Sequence, residues 1–274
     1  MRTINLKIAK KMNGLTRKQL LYMCRLLLSD ISEMRFRVQL FMHLTNIRFV
    51  HREKQEHRKG YLFRTGRTVF RVSVADFHSF LKSIDVFLSE STLTENRFPH
   101  FRIFWRRFYG PSAQCLNISL HELLFAEVAM EMWQRTHKKE HLRALAAILY
   151  RPRVKPYRPA SPGYSGDPRE NFNDFTYLRR ASWFRFLSDR KLLAVYLFFS
   201  GCLNLLMSRH PNLYSGEQVS AAPRNPMNTM KSILFALNGD DITKNKEIMQ
   251  APAWEAIAQL DEMARKARAL KRKK

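Results

Sequence analysis

The sequence has few cysteines and lacks the short motifs that mark common catalytic sites. Cys24, Cys115 and Cys202 are far apart in sequence, unlike the cysteines of a disulfide framework or a metal knuckle. The sequence also lacks a phosphate-cradling glycine loop, a nucleophile elbow, a redox cysteine pair and a calcium loop. We therefore expect a non-enzymatic protein that needs no metal or cofactor, with its cysteines in the core and in a reducing compartment.

Acidic residues are also scarce. The chain has 48 Lys and Arg against 23 Asp and Glu, a net charge of +25, and an excess of this size attracts polyanions. Residues 111–150 are the exception, because their acidic and basic residues are equal in number. No apolar core with a cleavage site follows the basic N-terminus, so we expect a cytoplasmic protein, in the host cell's cytoplasm if a phage encodes it.

One long apolar run stands out, from Leu192 to Met207, without a single charged residue. Helices that are apolar on nearly every face are surrounded by other helices or by lipid. A bilayer span needs about 20 apolar residues, and this run is shorter, so a buried central helix is favoured and a membrane is not expected as a partner. Gly201 within the run is expected to let another helix approach closely.

Helical periodicity recurs along most of the chain. Thr16 and Ser32 are predicted N-caps of two helices. A packed hairpin of these helices is favoured over a DNA-binding helix-turn-helix, because the second helix is mostly apolar. Ser119 and Glu122 have the spacing of a capping box and open a second helical hairpin, which occupies residues 119–150.

A change from helical to alternating periodicity predicts one small β-hairpin near residues 61–72, with Gly66 in its turn. The predicted fold is therefore mainly α, a bundle of helical hairpins around a buried central helix with this one β-hairpin. We predict four regions, which are a basic N-terminal helical region with the β-hairpin (1–110), a helical hairpin (111–150), a proline-rich basic linker or arm (151–170) and a C-terminal helical region (171–274).

Arginine alternates with Phe, Trp and Tyr between Arg97 and Pro111. Such a mixture can bind single-stranded nucleic acid, because aromatic rings stack on bases and cations contact phosphates. Arginine stems can equally cover an aromatic core while their charged ends stay in water. Nucleic-acid binding is thus the alternative function, and its candidate residues are Arg102, Trp105, Arg106, Arg107, Arg151, Arg153, Lys155 and Arg158.

From position 119 to about 270, the order of features resembles that of phage tail-assembly proteins found in prophages of Bacteroidetes. The segments that carry the resemblance are HELLFAEVAMEMWQRTHKKEHLRALAAILYRP, GDPRENF, LLAVYLFFSGCLNLL and IMQAPAWEAIAQLDEMARKA. The resemblance implies a chaperone-like assembly factor that holds tail components through helical surfaces. A phage structural protein is therefore the expected partner.

The last amphipathic helix carries the candidate partner-binding residues Trp254, Ile257 and Leu260. In an assembly factor that binds a partner, or a second copy of itself, these apolar side chains would be partly exposed in the isolated chain. The alternative is that the same stripe packs on the chain's own core. Burial of these side chains decides between the two.

Overall fold

The computed structural model describes residues 8–53, 60–155, 166–214, 226–238 and 241–272. The chain divides into two compact units after Thr92. The described residues form eleven α-helices and two small antiparallel sheets, which confirms the mainly α fold class. The four predicted regions do not coincide with the two units, because residues 93–110 belong to the second unit.

The first unit begins with two packed helices, α1 (Arg17–Leu27) and α2 (Glu33–Thr45). Thr16 and Gln19 make both halves of a capping box at the start of α1, and Ser32 caps α2. Both predicted N-caps are thus confirmed, and so is the packed hairpin. The buried apolar side chains of the two helices include Leu20, Met23, Leu26, Phe36, Leu40 and Phe41.

A three-stranded antiparallel sheet and a third helix complete the first unit. The predicted β-hairpin is present, and Gly66 takes the left-handed conformation in its turn, with φ at 56°. The ring centroid of Phe63 lies 5.3 Å from that of Phe77, so the sheet packs against the helix that follows it. The elements are β1 (Arg48–Glu53), β2 (Gly60–Thr65), β3 (Thr68–Ser73) and α3 (Val74–Lys82).

The second unit is built around α7 (Asp189–Arg209), the predicted central helix. Leu192, Val195, Phe199 and Leu206 are each at most 3% exposed. By length and composition α7 alone among the described helices could cross a membrane, but 61% of its most apolar stretch is buried within the protein. The other elements are β4 (His100–Ile103), β5 (Arg106–Tyr109), α4 (Leu120–Thr136), α5 (Lys139–Leu149), α6 (Tyr177–Ala181), α8 (Pro211–Tyr214), α9 (Pro226–Asn238), α10 (Asn245–Gln250) and α11 (Ala253–Arg272).

Gly201 permits a close approach to α7, but the neighbour is not another helix. A Cβ atom at this position would lie 2.3 Å from the backbone oxygen of Leu93 and 2.6 Å from its nitrogen. The prediction of a close approach is correct and the predicted partner is wrong. An extended segment can contact the helix more closely than a helix can, because its backbone carries no surrounding cylinder of side chains.

Helices α4 and α5 form the predicted second helical hairpin. His137 ends α4 in the left-handed conformation, which turns the chain toward α5. Ser119 accepts a hydrogen bond from the Glu122 backbone nitrogen at 3.2 Å, as in a capping box. The Glu122 side chain, however, is only 1% exposed and makes ion pairs with two arginines instead of returning to the cap.

Candidate macromolecule-binding surface

A two-residue turn displays Phe104 and Trp105 at the tip of the β4–β5 hairpin. Their exposed fractions are 55% and 77%. Phe104 has a φ of 51°, in the left-handed region that two-residue hairpin turns usually fill with glycine or asparagine. A bulky residue there is a conformational outlier, and the cost is about 1–2 kcal/mol. The hairpin therefore keeps two large aromatic side chains in water at an energetic cost.

The 3₁₀ helix Ser182–Phe186 supplies the second half of an aromatic cleft. The rings of Phe104 and Phe186 meet edge to face at 4.8 Å, and those of Trp105 and Trp183 do so at 6.1 Å. Together these elements enclose a cleft of about 340 Å³. We call the following set the arginine-aromatic surface: Phe104, Trp105, Arg106, Trp183, Arg185 and Phe186.

Two guanidinium groups cover ring faces of this surface. Arg106 lies 4.4 Å from the ring centroid of Trp183, and Arg185 lies 4.8 Å from that of Phe186. Such cation–π contacts hold each cation over an apolar ring while its N–H groups remain available to an anion. Trp105, which no described cation covers, is the most exposed ring of the set.

The arginines of the β4–β5 hairpin, of α6 and of the 3₁₀ helix are not neutralised within the described part of the chain. Arg102, Arg107 and Arg179 are exposed, and no ion pair involves them or the two arginines of the surface. Arg102 does donate a hydrogen bond from Nε to the Phe104 carbonyl at 3.2 Å, which supports the hairpin turn. The surface is thus apolar and carries two arginines that pair with no described carboxylate. Of the sequence-predicted residues, it contains Trp105 and Arg106, whereas the strand register places Arg102 and Arg107 on the opposite face of the β4–β5 hairpin.

No protein-family model, curated protein or solved structure matches the chain.

The prediction that Arg151 contacts phosphates is wrong, because its side chain is buried. It is 3% exposed, and its Nη1 lies 2.9 Å from Glu122 Oε2. Arg169 pairs with the other Glu122 oxygen at 2.8 Å and with Asp167 at 2.8 Å. We call these four residues the buried charge cluster. It neutralises Arg151 internally and leaves this arginine out of reach of a macromolecular ligand.

The two arginines of the buried charge cluster are not equally well paired. Burial acts to lower the pKa of Arg169, but the carboxylates of Glu122 and Asp167 outweigh burial, so the pKa is raised. Burial lowers the pKa of Arg151, and its carboxylate neighbours offset this only in part. In the described structure the Arg151 Nε atom is buried without a hydrogen-bond partner, and Nη1 contacts Glu122 in poor hydrogen-bond geometry.

The buried charge cluster also fixes both ends of the predicted proline-rich linker. Arg151 pairs with Tyr109 through backbone hydrogen bonds, and Arg153 forms an isolated bridge with Arg169. Arg153 is exposed, and its guanidinium lies 4.9 Å from the Tyr109 ring centroid. Lys155 is also exposed. The remaining candidate, Arg158, lies outside the described residues.

The candidate partner-binding residues of α11 are turned inward. Ile257 is 3% exposed and Leu260 is 7% exposed. Trp254 is half-buried, and its Nε1 donates a hydrogen bond to the Gln114 carbonyl at 3.2 Å. The prediction that this stripe is partly exposed to a partner is wrong for Ile257 and Leu260, whereas Trp254 remains partly exposed. Its packing on α4 and α8 makes it part of the chain's own core.

Sequence reasoning missed Trp183, Arg185 and Phe186. The signal was present, because the stretch from Tyr177 to Leu187 mixes arginine and aromatic residues as Arg97–Pro111 does. Neither stretch alone shows that the two lie side by side in the fold. A search for repeated arginine-aromatic composition would have paired them.

Proposed function

We propose that this chain is a non-enzymatic assembly protein that binds a partner protein through the arginine-aromatic surface. The order of features from position 119 onward, which resembles that of phage tail-assembly proteins, supports a chaperone-like role in phage tail assembly, with a phage structural protein as partner. The surface replaces the α11 stripe as the place where that partner binds. We expect the protein to act in the cytoplasm.

One observation carries this proposal. The turn at Phe104 and Trp105 exposes two aromatic rings and holds the first in a disfavoured backbone conformation. Neither feature helps the isolated chain, since both cost free energy in water. A partner that covers the rings would recover this cost. Aromatic residues and arginine, with lysine depleted, are also the composition of the energetically dominant residues in protein interfaces.

Nucleic-acid binding is the second candidate, and the two arginines of the surface, Arg106 and Arg185, favour it because neither has an ion pair with a described carboxylate. Single-strand binders, however, stack successive bases on open rings. Here the faces of Trp183 and Phe186 already carry guanidinium groups of the same chain. Phe104 and Trp105 are exposed without a described cation over either ring, but Arg151 is buried. These contacts favour a protein partner.

The test uses proteins encoded by the genes adjacent to that of this chain. Each is produced with the wild-type chain, and complexes are measured by size-exclusion chromatography and calorimetry. We expect one neighbour to bind, and the double variant Phe104→Gly/Trp105→Ser to weaken that binding at least roughly thirtyfold, as loss of interface-dominating residues does. Phe235→Ser is the matched control, because Phe235 is 69% exposed on α9, outside the surface.

Nucleic acid is tested beside it. Labelled single-stranded DNA and RNA of about 20 nucleotides, longer than the roughly 4–16-nucleotide sites of small single-strand binders, are titrated at low and moderate salt. Tight binding that persists at moderate salt and is lost in the double variant would replace the protein-partner proposal with the second candidate. Equal binding of a partner protein by the wild type and the double variant would refute the assigned surface.

A further inference from the structure

A second cavity adjoins the aromatic cleft, and Trp183 lines both. Its volume is about 240 Å³, and its walls come from the start of β5, from Pro152 and from the α6 region. We call it the arginine pocket. The side chains that line it are Arg106, Phe108, Pro152, Glu170, Thr176, Arg179, Arg180 and Trp183.

Positive charge dominates the arginine pocket. Arg106, Arg179 and Arg180 face a single carboxylate, Glu170, and none of the three arginines has an ion pair with any described carboxylate. Glu170 can offset only one of the three positive charges, and Arg180 is half-buried. The pocket therefore keeps a net positive charge that attracts an anion.

Arg180 is the most constrained of these arginines. Its Nη1 donates to the Ala147 carbonyl at 3.0 Å, and its Nη2 donates to Thr176 Oγ1 at 3.4 Å. Burial, together with the positive charge of Arg151, lowers the pKa of Arg180. A half-buried guanidinium held in place in this way is pre-organised to receive an anion, because little side-chain freedom remains to be lost on binding.

The surroundings select the kind of anion. The neighbouring cleft is apolar. In the pocket, Arg106 occupies a face of the Trp183 ring and the Phe108 ring is only 1% exposed, so little ring surface is open to a nucleotide base. A carboxylate next to an apolar side chain matches both cavities at once. Arginine forks bind carboxylates in bidentate geometry, which gives the contact direction as well as charge.

We propose that the arginine pocket binds an aspartate or glutamate side chain of the partner protein, while a neighbouring apolar side chain of the same segment fills the aromatic cleft. This inference rests on the proposed function, whose surface it extends, and it names the chemistry of the partner. The partner segment is acidic and carries at least one large apolar residue.

The test uses two capped, labelled hexapeptides as probes. In the first, a central Trp-Leu pair is flanked on each side by two glutamates, and in the second the glutamates are replaced by glutamines. Fluorescence anisotropy with the full chain is expected to give roughly tenfold tighter binding of the glutamate peptide. Arg179→Gln should remove most of this difference, because it removes one of the three guanidinium groups of the pocket. The fold should be unaffected, because the exposed Arg179 side chain has no structural partner among the described residues.

Arg190→Gln is the matched control, since it removes one exposed positive charge from the same unit outside the pocket. It should change the affinity by less than about twofold, as expected for a solvent-screened charge. Circular dichroism of each variant checks the fold. Phe104→Gly, in the neighbouring cleft, should weaken both peptides alike.

Several results would overturn the proposal. Equal binding of the two peptides, equal losses in Arg179→Gln and Arg190→Gln, or no binding of either peptide at about millimolar concentration would each do so. The proposed function survives a failure of the peptide test if the double variant Phe104→Gly/Trp105→Ser still abolishes binding of a protein encoded by an adjacent gene. Arg179-dependent binding of single-stranded DNA without peptide binding would overturn both.

Discussion

The sharpest stability prediction concerns the buried charge cluster. Glu122→Gln keeps the shape of the side chain but removes the carboxylate that lies between Arg151 and Arg169. The cluster of two carboxylates and two guanidiniums then has one uncompensated positive charge. Breaking a buried ion pair in this way costs about 3–5 kcal/mol. For a unit of this size that corresponds to a fall of roughly 6–20 °C in Tm.

A second substitution tests the reasoning behind this magnitude. Arg151→Met, added to Glu122→Gln, restores neutrality and leaves Arg169 with Asp167 at 2.8 Å. The double variant should therefore be more stable than Glu122→Gln alone, because it removes a buried guanidinium whose hydrogen bonds are already incomplete. Apolar side chains of similar size are often tolerated at such positions.

Urea and thermal unfolding, followed by far-ultraviolet circular dichroism, measure Glu122→Gln, Arg151→Met and the double variant. The reasoning is refuted if Glu122→Gln unfolds within about 1 kcal/mol of the wild type, the range of a solvent-exposed ion pair. It is equally refuted if the two substitutions destabilise additively, because additive losses would mean that the two side chains do not share one electrostatic site.

Three further outcomes are expected. Gly201→Ala should lower the free energy of unfolding by about 1–3 kcal/mol, because its Cβ would overlap the Leu93 backbone. Ser200→Ala in the same helix should be neutral or stabilising. Thermal unfolding measures both variants, and equal stability of the two would refute the close contact. Burial lowers the pKa of His121 below its unfolded value, so the unfolded state binds more protons and stability should fall as pH drops from about 7 toward 5. A His121→Leu variant should lose part of that pH dependence in urea titrations, and an unchanged slope would contradict this. The free energy of unfolding of Phe104→Gly should be within about 1 kcal/mol of the wild-type value, because glycine adopts the left-handed conformation without strain and this gain offsets the lost contact with Phe186. A much larger loss would mean that the Phe104 ring stabilises the fold.

Local signals in the sequence predicted most of the secondary structure. Side-chain caps such as Thr16 and Ser32 act within four residues, and the charge-free run of α7 is long enough to specify a buried helix. Gly66 marked the turn of the first hairpin because the turn needs a positive φ. These features depend on neighbours in sequence, so a single sequence is sufficient to find them.

The β4–β5 hairpin was not predicted because its turn lacks the usual residues. Phe104 and Trp105 occupy positions where Asn-Gly or a similar pair signals a two-residue turn. The positive φ of Phe104, in a turn without the usual residues, also supports the proposed binding surface. Local rules fail most often at functional or strained positions, and this turn has the character of both.

The burial of Arg151 depends on residues distant in sequence. Its carboxylate partner, Glu122, also fits a capping box, which explained that glutamate equally well. Arg169 and Asp167 reach the same site from beyond the proline-rich stretch. Composition identified these arginines as available cations, and only their tertiary neighbours reveal which are neutralised. Composition alone also proposed Arg102, Arg106 and Arg107, and the structure leaves these side chains exposed.

The most direct measurement is hydroxyl-radical footprinting of the chain with and without its bound partner protein, read residue by residue by mass spectrometry. The account predicts that Phe104, Trp105 and Phe186 become protected in the complex, while Phe235 reacts equally in both states. Unchanged reactivity of those three side chains, with protection elsewhere on the chain, would contradict the claim that the partner binds at the arginine-aromatic surface.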